Sequence, residues 1–464
     1  MPALSDRKIE IVRTLVESAP DKIVGGLQRA LAQTGAESAL AGVRQLVDAE
    51  AHDRMLRNVV FQPVVPLCVG DGSDPERFVF PARALALVWH GLKSAVPDQV
   101  AAAAEAGAAV ASAVATQQRL PDPNKAFDAL VLTAAEALRS SDVREFRLAA
   151  ELCDRARPGG AEALAGCLDI SPIVRRAIGR LPDWIAKPPE EVSAAARLAF
   201  KDAVAIAPDA GPRFFEMLGA QLSPPWMVLR IISLVMDKPT ERYLGDSELG
   251  GFAERVMLEI DEALKAIGRL DLDAGPAAGR AAARRVGLIT EQTFELEVCM
   301  ELTRDHGWGK RILDQKRSLA AIVERLFKDA EKQAGAALPL GGGAGAQRFR
   351  KTMPKLDEVP EPRVCARTKT LLAFVHESRA FASHGGFTAS HAKLMEKLGG
   401  MLDHYVEEAV DIARNGMADP KIAYACLMVA ADFVGLIRDG KAAELIRRRA
   451  AGAKPDEPPR QIAV

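Results

Sequence analysis

From Ser5 to Ala450, apolar residues return every three or four positions between Pro, Gly and Asp punctuation, a spacing that predicts a succession of amphipathic α-helices. The first fall at 6–18, 21–33 and 37–58, and the stripe of Ile9, Val12, Leu15 and Val16 needs a neighbouring helix to cover it. Between Val59 and Pro81 the pattern changes to β-branched and aromatic runs, VVFQPVVPLCV and RFVFP, separated by GDGSDPE. This predicts a small hairpin or extended loop, and Pro63 and Pro66 confine any strand there to an edge.

Helical spacing resumes at Pro81, with helices expected near 81–95, 97–119, 123–140, 142–156, 160–168, 172–186, 189–206, 210–221 and 224–236, and longer ones at 247–269, 277–303 and 309–334. Ser141-Asp142, Asp169-Ile-Ser-Pro172 and Pro188-Pro189-Glu190-Glu191 place caps, a first-turn proline or acidic residues at helix starts. The Gly- and Pro-rich segment 336–362 reads as a linker or exposed loop. Beyond it, 363–383, 388–415 and 420–449 read as three helices, the middle one with a core stripe of Leu394, Leu398, Met401, Tyr405, Ala409 and Ile412.

The expected fold is all-α: antiparallel helix pairs stacked as an irregular array over 1–335, with a sub-boundary near 238–246, then the linker, a helical bundle over 363–450 and a disordered tail over 451–464. The run Asp169-Ile-Ser-Pro-Ile-Val-Arg-Arg-Ala-Ile178 resembles the start of the second helix of a HEAT repeat, and Ser141-Asp142-Val143-Arg144 echoes it. This resemblance to HEAT- and armadillo-like proteins concerns the architecture of the first two thirds of the chain, and it implies a binding scaffold without naming a partner.

Composition narrows the function classes. Of 464 residues, 48% are hydrophobic and 27% charged, so the chain has ample material for a core. Aromatic residues are only 5%, which leaves no stacking platform for bases. Lys plus Arg number 61 against 62 Asp plus Glu, so no global field attracts nucleic acid or anionic lipid. Cys68, Cys153, Cys167, Cys299, Cys365 and Cys426 are scattered without a C-x-x-C pair, which points to reduced, buried thiols and a cytoplasmic location. No transmembrane segment is expected: 97–116 is mostly alanine with Glu105, and 226–236 is short and interrupted by Arg230.

No motif in the sequence calls for catalysis, a metal or a cofactor. Gly435 to Lys441 has the spacing of a phosphate-binding loop, but Ala442 replaces the magnesium-binding hydroxyl and no strand precedes it, so Gly440 reads as a helix end. His376, His384, His391 and His404 do not converge at helical spacing, and a G-x-S-x-G elbow is absent. A binding role is expected instead, through Arg280, Arg284 and Arg285 on one helix side and through His306-Gly-Trp-Gly-Lys-Arg311, where Trp308 sits between glycines beside Lys310 and Arg311 either as an interface anchor or tucked in to cover a helix end. The chain therefore reads as a protein-protein interaction scaffold. Binding of nucleic acid or anionic surfaces through these clusters, with Arg348, Arg350 and Lys351, is the weaker alternative, and an enzyme with a dispersed site is the third.

Overall fold

The computed structural model describes residues 6–33, 40–74, 77–116, 124–186, 190–207, 209–236, 239–342 and 352–452. Among them the fold is all-α, with twenty α-helices and one two-stranded hairpin. The chain divides into two compact units at Lys238/Pro239. This division falls at the sub-boundary expected near 238–246, and the segment 336–362 lies within the second unit.

In unit 1, α1 (Asp6–Ser18) and α2 (Asp21–Ala32) pack on α3 (Ala41–Val60) around Val16, Val24 and Val47. After α4 (Ala82–Ala95), α5 (Pro97–Thr116), α6 (Asn124–Ser140) and α7 (Arg144–Ala156) comes α8 (Gly160–Ile178), the centre of the unit, whose Leu164, Cys167, Leu168, Ile170 and Val174 are fully buried. The unit closes with α9 (Leu181–Ile185), α10 (Glu190–Ile206), α11 (Ala210–Ala220) and α12 (Val228–Val235).

One sequence expectation fails here. Asp169-Ile-Ser-Pro172 does not start a helix, since α8 runs unbroken through Pro172. The hydroxyl of Ser171 donates to the Cys167 carbonyl at 2.8 Å, and burial on several sides outweighs the local helix-breaking tendency. The HEAT-like resemblance of this run is therefore a similarity of residues without the matching helix start. Of the hairpin or extended loop expected over 59–80, the described residues show a loop: α3 continues to Val60, a 3-10 turn covers Val65–Leu67, and an isolated bridge joins Cys68 to Phe80.

Unit 2 contains α13 (Glu241–Gly245), α14 (Gly250–Gly268), α15 (Pro276–Cys299), α16 (Gly307–Ala337), β1 (Leu340–Gly342), β2 (Thr352–Pro354), α17 (Pro362–Ser378), α18 (Thr388–Arg414), α19 (Pro420–Ile437) and α20 (Gly440–Gly452). The hairpin appears inside the segment expected to be a linker, with Leu340 opposite Pro354 and Gly342 opposite Thr352; Arg348, Arg350 and Lys351 lie outside the described residues, as does the tail from 453. Helix α17 is the core element, its Leu371, Leu372, Phe374 and Val375 fully buried. Rather than belonging to a separate bundle, it packs on α15, α16 and α19.

Helices α15 and α17 run parallel, which the expected antiparallel pairing did not include. Asp273 meets Arg363 at 3.1 Å, Gly279 lies under Thr370, Arg284 meets Glu377 at 3.5 Å and Gly287 lies under Phe381. Close approach is possible because Gly279, Ala283 and Gly287 recur every four residues on one face; a Cβ on Gly279 would overlap the Thr370 carbonyl, and one on Gly287 the Phe381 ring.

Arginines tie helix ends to neighbouring helices. The last carbonyls of a helix lack intrahelical donors and carry the negative end of its dipole, so a guanidinium supplies both hydrogen bonds and opposite charge. Arg54 reaches the carbonyls of Val16, Glu17 and Ala19 at the end of α1 at 2.7–3.0 Å. Arg175 does the same for Val59 and Val60 of α3, Arg230 for Ile185 of α9, Arg197 for Leu234 of α12 and Arg325 for Gly268 of α14.

Helix α19 is long and apolar enough, by length and composition, to cross a bilayer. Its Cys426, Leu427, Ala430, Phe433 and Val434 are buried in unit 2, and Lys369 and Arg447 hold its Asp432 at 2.6 and 3.0 Å.

Candidate functional site

The Gly-Trp-Gly turn is the N-terminus of α16. Gly307 has φ +60°, and a Cβ there would overlap the Glu241 carboxylate; a Cβ on Gly309 would overlap the Thr303 carbonyl. Glu241 fills the space Gly307 leaves, and the Thr303 backbone the space Gly309 leaves. Glu241 accepts the backbone N–H of Trp308, of Thr303 at 3.1 Å and of Gly309 at 3.4 Å, so a carboxylate from α13 caps the positive end of α16.

Trp308 is not an exposed anchor. It is only 9% exposed, its ring lies over Gly245 and its indole N–H donates to Glu254. Arg311 bridges Glu254 at 2.8 Å and Asp261 at 2.7 Å, and Gln315 completes the network with Asp261 at 2.7 Å and the Met257 carbonyl at 2.9 Å. Burial would lower the Arg311 pKa, but Asp261 and Glu254 outweigh it and raise it. These groups lock α16 onto α14. Lys310 remains exposed beside Asp314 and Ser318 in a shallow depression of about 340 Å³.

The arginine cluster is a separate feature. Arg284 is exposed and paired with Glu377, Arg285 is exposed and Arg280 half-buried, all flanking the small-residue stripe of α15. From Arg284 to the end of α15 is roughly 20 Å at 1.5 Å per residue, and only then does the chain turn toward Trp308. The six residues expected to bind a partner therefore do not form one site.

The structure exposes a different set. Along the solvent face of α15 run Arg284, Leu288, Glu291, Phe294 and Val298, spaced by four, three, three and four residues, and Phe294 and Val298 are 53% and 62% exposed. Beside them Glu297 pairs with Lys316 of α16 at 2.9 Å, near the exposed Leu313. The opposite faces of α15 are buried against α14 and α17. The signal in the sequence was a helix whose hydrophobic positions exceed one stripe, but only tertiary packing shows which positions are left over.

Among the described residues no group of three or more His, Cys, Asp or Glu side chains is placed to hold a metal ion. Burial pushes the Cys68 and Cys153 thiols up to about 12, so both remain protonated. His391 and His404 donate to the carbonyls of Val375 and Thr352, both at 2.8 Å. The phosphate-loop spacing at 435–441 is the junction of α19 and α20, where Asp439 accepts the Ala442 N–H at 2.8 Å. Comparison with known proteins finds no matching family model, no matching curated protein and no matching solved structure.

Proposed function

We propose that this chain is a protein-protein interaction scaffold without catalytic activity, and that its partner docks on the solvent face of α15. The carrying observation is the line of Leu288, Phe294 and Val298 left exposed on a helix buried on its other sides. Single exposed apolar residues are ordinary on a soluble protein; three on one helical stripe, including an aromatic ring, form a surface that gains free energy when covered. Charged Arg284 and Glu291 and the Glu297–Lys316 pair supply a polar rim. We propose a cytoplasmic location as well, since six cysteines that form no disulfide suit a reducing environment.

A photo-crosslinking amino acid at position 294 tests this in living cells, with position 445 on α20 as an exposed control. The reading expects a discrete protein adduct at 294 that disappears in the Val298→Glu background, with melting unchanged. Absence of an adduct at 294, or the same adducts at both positions, overturns it. Binding to nucleic acid through Arg280, Arg284 and Arg285 draws less support, because Glu377 neutralises Arg284 and the net charge is -1.

A further inference from the structure

We propose that a cleft of unit 1, between α3, α5 and α6, binds an uncharged, mainly aliphatic small molecule carrying one terminal hydrogen-bonding group. The cleft has a volume of about 400 Å³, within the range of roughly 300–1,000 Å³ typical of small-molecule sites. Met55, Leu56 and Val59 of α3 form one wall and Phe127 of α6 lies buried at the base.

The opposite wall explains why the space exists. Helix α5 presents Ala104, Gly107 and Ala108 toward it, and a Cβ on Gly107 would find only Leu56 within 4 Å, at 3.6 Å. Interior helix faces normally interdigitate larger side chains until no such space remains. Here the small residues of α5 leave it open, and Met55 stays 58% exposed at its mouth.

The chemistry of the lining selects the ligand. Arg175 also borders the cleft, but its guanidinium is engaged by Asp128 at 3.1 Å, by the Val59 carbonyl at 2.9 Å and by the Val60 carbonyl, and it lies 5.5 Å from the centre of the Phe127 ring. A carboxylate in the cleft would have to compete with Asp128 for it and would lose its water without a compensating cation. An uncharged chain has no such penalty. The exposed side chains of His52 and Gln62 at the rim can take its polar terminus while the apolar body lies against Phe127.

The test titrates the full-length protein with 1-decanol and with decanoate, each below its solubility limit, by isothermal titration calorimetry. Saturable one-to-one binding of 1-decanol is expected, with decanoate at least tenfold weaker. Gly107→Leu, at a position of ordinary helical φ, puts a side chain into the cleft and should weaken 1-decanol binding at least tenfold without lowering the melting temperature; Ala104→Leu provides a second plug should the first variant misfold. Absence of saturable 1-decanol binding, equal affinity for decanoate, or unchanged binding in a folded plugged variant overturns the proposal. None of these results depends on the α15 surface, so the two readings succeed or fail separately.

Discussion

The indole N–H of Trp308 donates to the carboxylate of Glu254, which also receives the guanidinium of Arg311 at 2.8 Å. One buried ring thus organises the joint between α14 and α16, and Trp308→Ala should destabilise the protein by about 3–5 kcal/mol, as expected for removal of a buried aromatic. Urea unfolding followed by circular dichroism measures this. A loss under ~1 kcal/mol would show that the ring contributes little to the joint.

Arg54 should be equally sensitive for an electrostatic reason. It serves three carbonyls of α1 and the carboxylates of Asp21 and Glu50 at 2.8 and 2.6 Å, with its side chain 10% exposed. Arg54→Met removes this donor from the α1 carbonyls and from Glu50, while Asp21 keeps Arg57 at 2.6 Å; it should cost about 3–5 kcal/mol, whereas Lys, which keeps the charge but not the fork, should fall between. Amide exchange across 6–18 reads the effect directly: protection there should drop first.

Gly279 and Gly335 make a matched pair of opposite sign. Both lie in helices, where replacement by Ala gains up to ~1 kcal/mol of intrinsic propensity. At Gly335 nothing lies within 4 Å, so Gly335→Ala should stabilise. At Gly279 the added methyl meets the Thr370 backbone, so Gly279→Ala should destabilise by ~1–3 kcal/mol through overpacking. Two stabilising substitutions would mean that α15 and α17 are not held as close as described.

His391 makes the stability of unit 2 depend on pH. Burial is the main cause that lowers its pKa below 6.5; Arg379 and His376 act in the same direction, against the raising effect of its hydrogen bond to Val375. The folded ring stays neutral where the unfolded one takes a proton. Its contribution is therefore complete above about pH 6.5 and is lost as pH falls toward the depressed folded value, at no more than about 1.4 kcal/mol per pH unit. Melting between pH 7.5 and 5.5 should fall more in the wild type than in His391→Gln; identical slopes would remove the histidine as the cause.

Periodicity alone determined that this chain is helical and where most helices lie, because burial of one face imposes a 3.6-residue repeat on the sequence. The α18 stripe shows how far this goes: Leu394, Leu398, Tyr405, Ala409 and Ile412 are buried as their spacing requires, and Met401 at the edge is half-buried. Tertiary structure alone decided what local punctuation means. Pro172 lies inside α8 because Ile170, Ser171, Ile173 and Val174 on either side of it are buried, and Gly307 makes room for Glu241, 66 residues away in the chain. Whether Trp308 or Phe294 faces solvent depended on which helices came to lie beside α15 and α16. That choice rests on contacts between distant residues, and no local pattern of hydrophobic spacing encodes it.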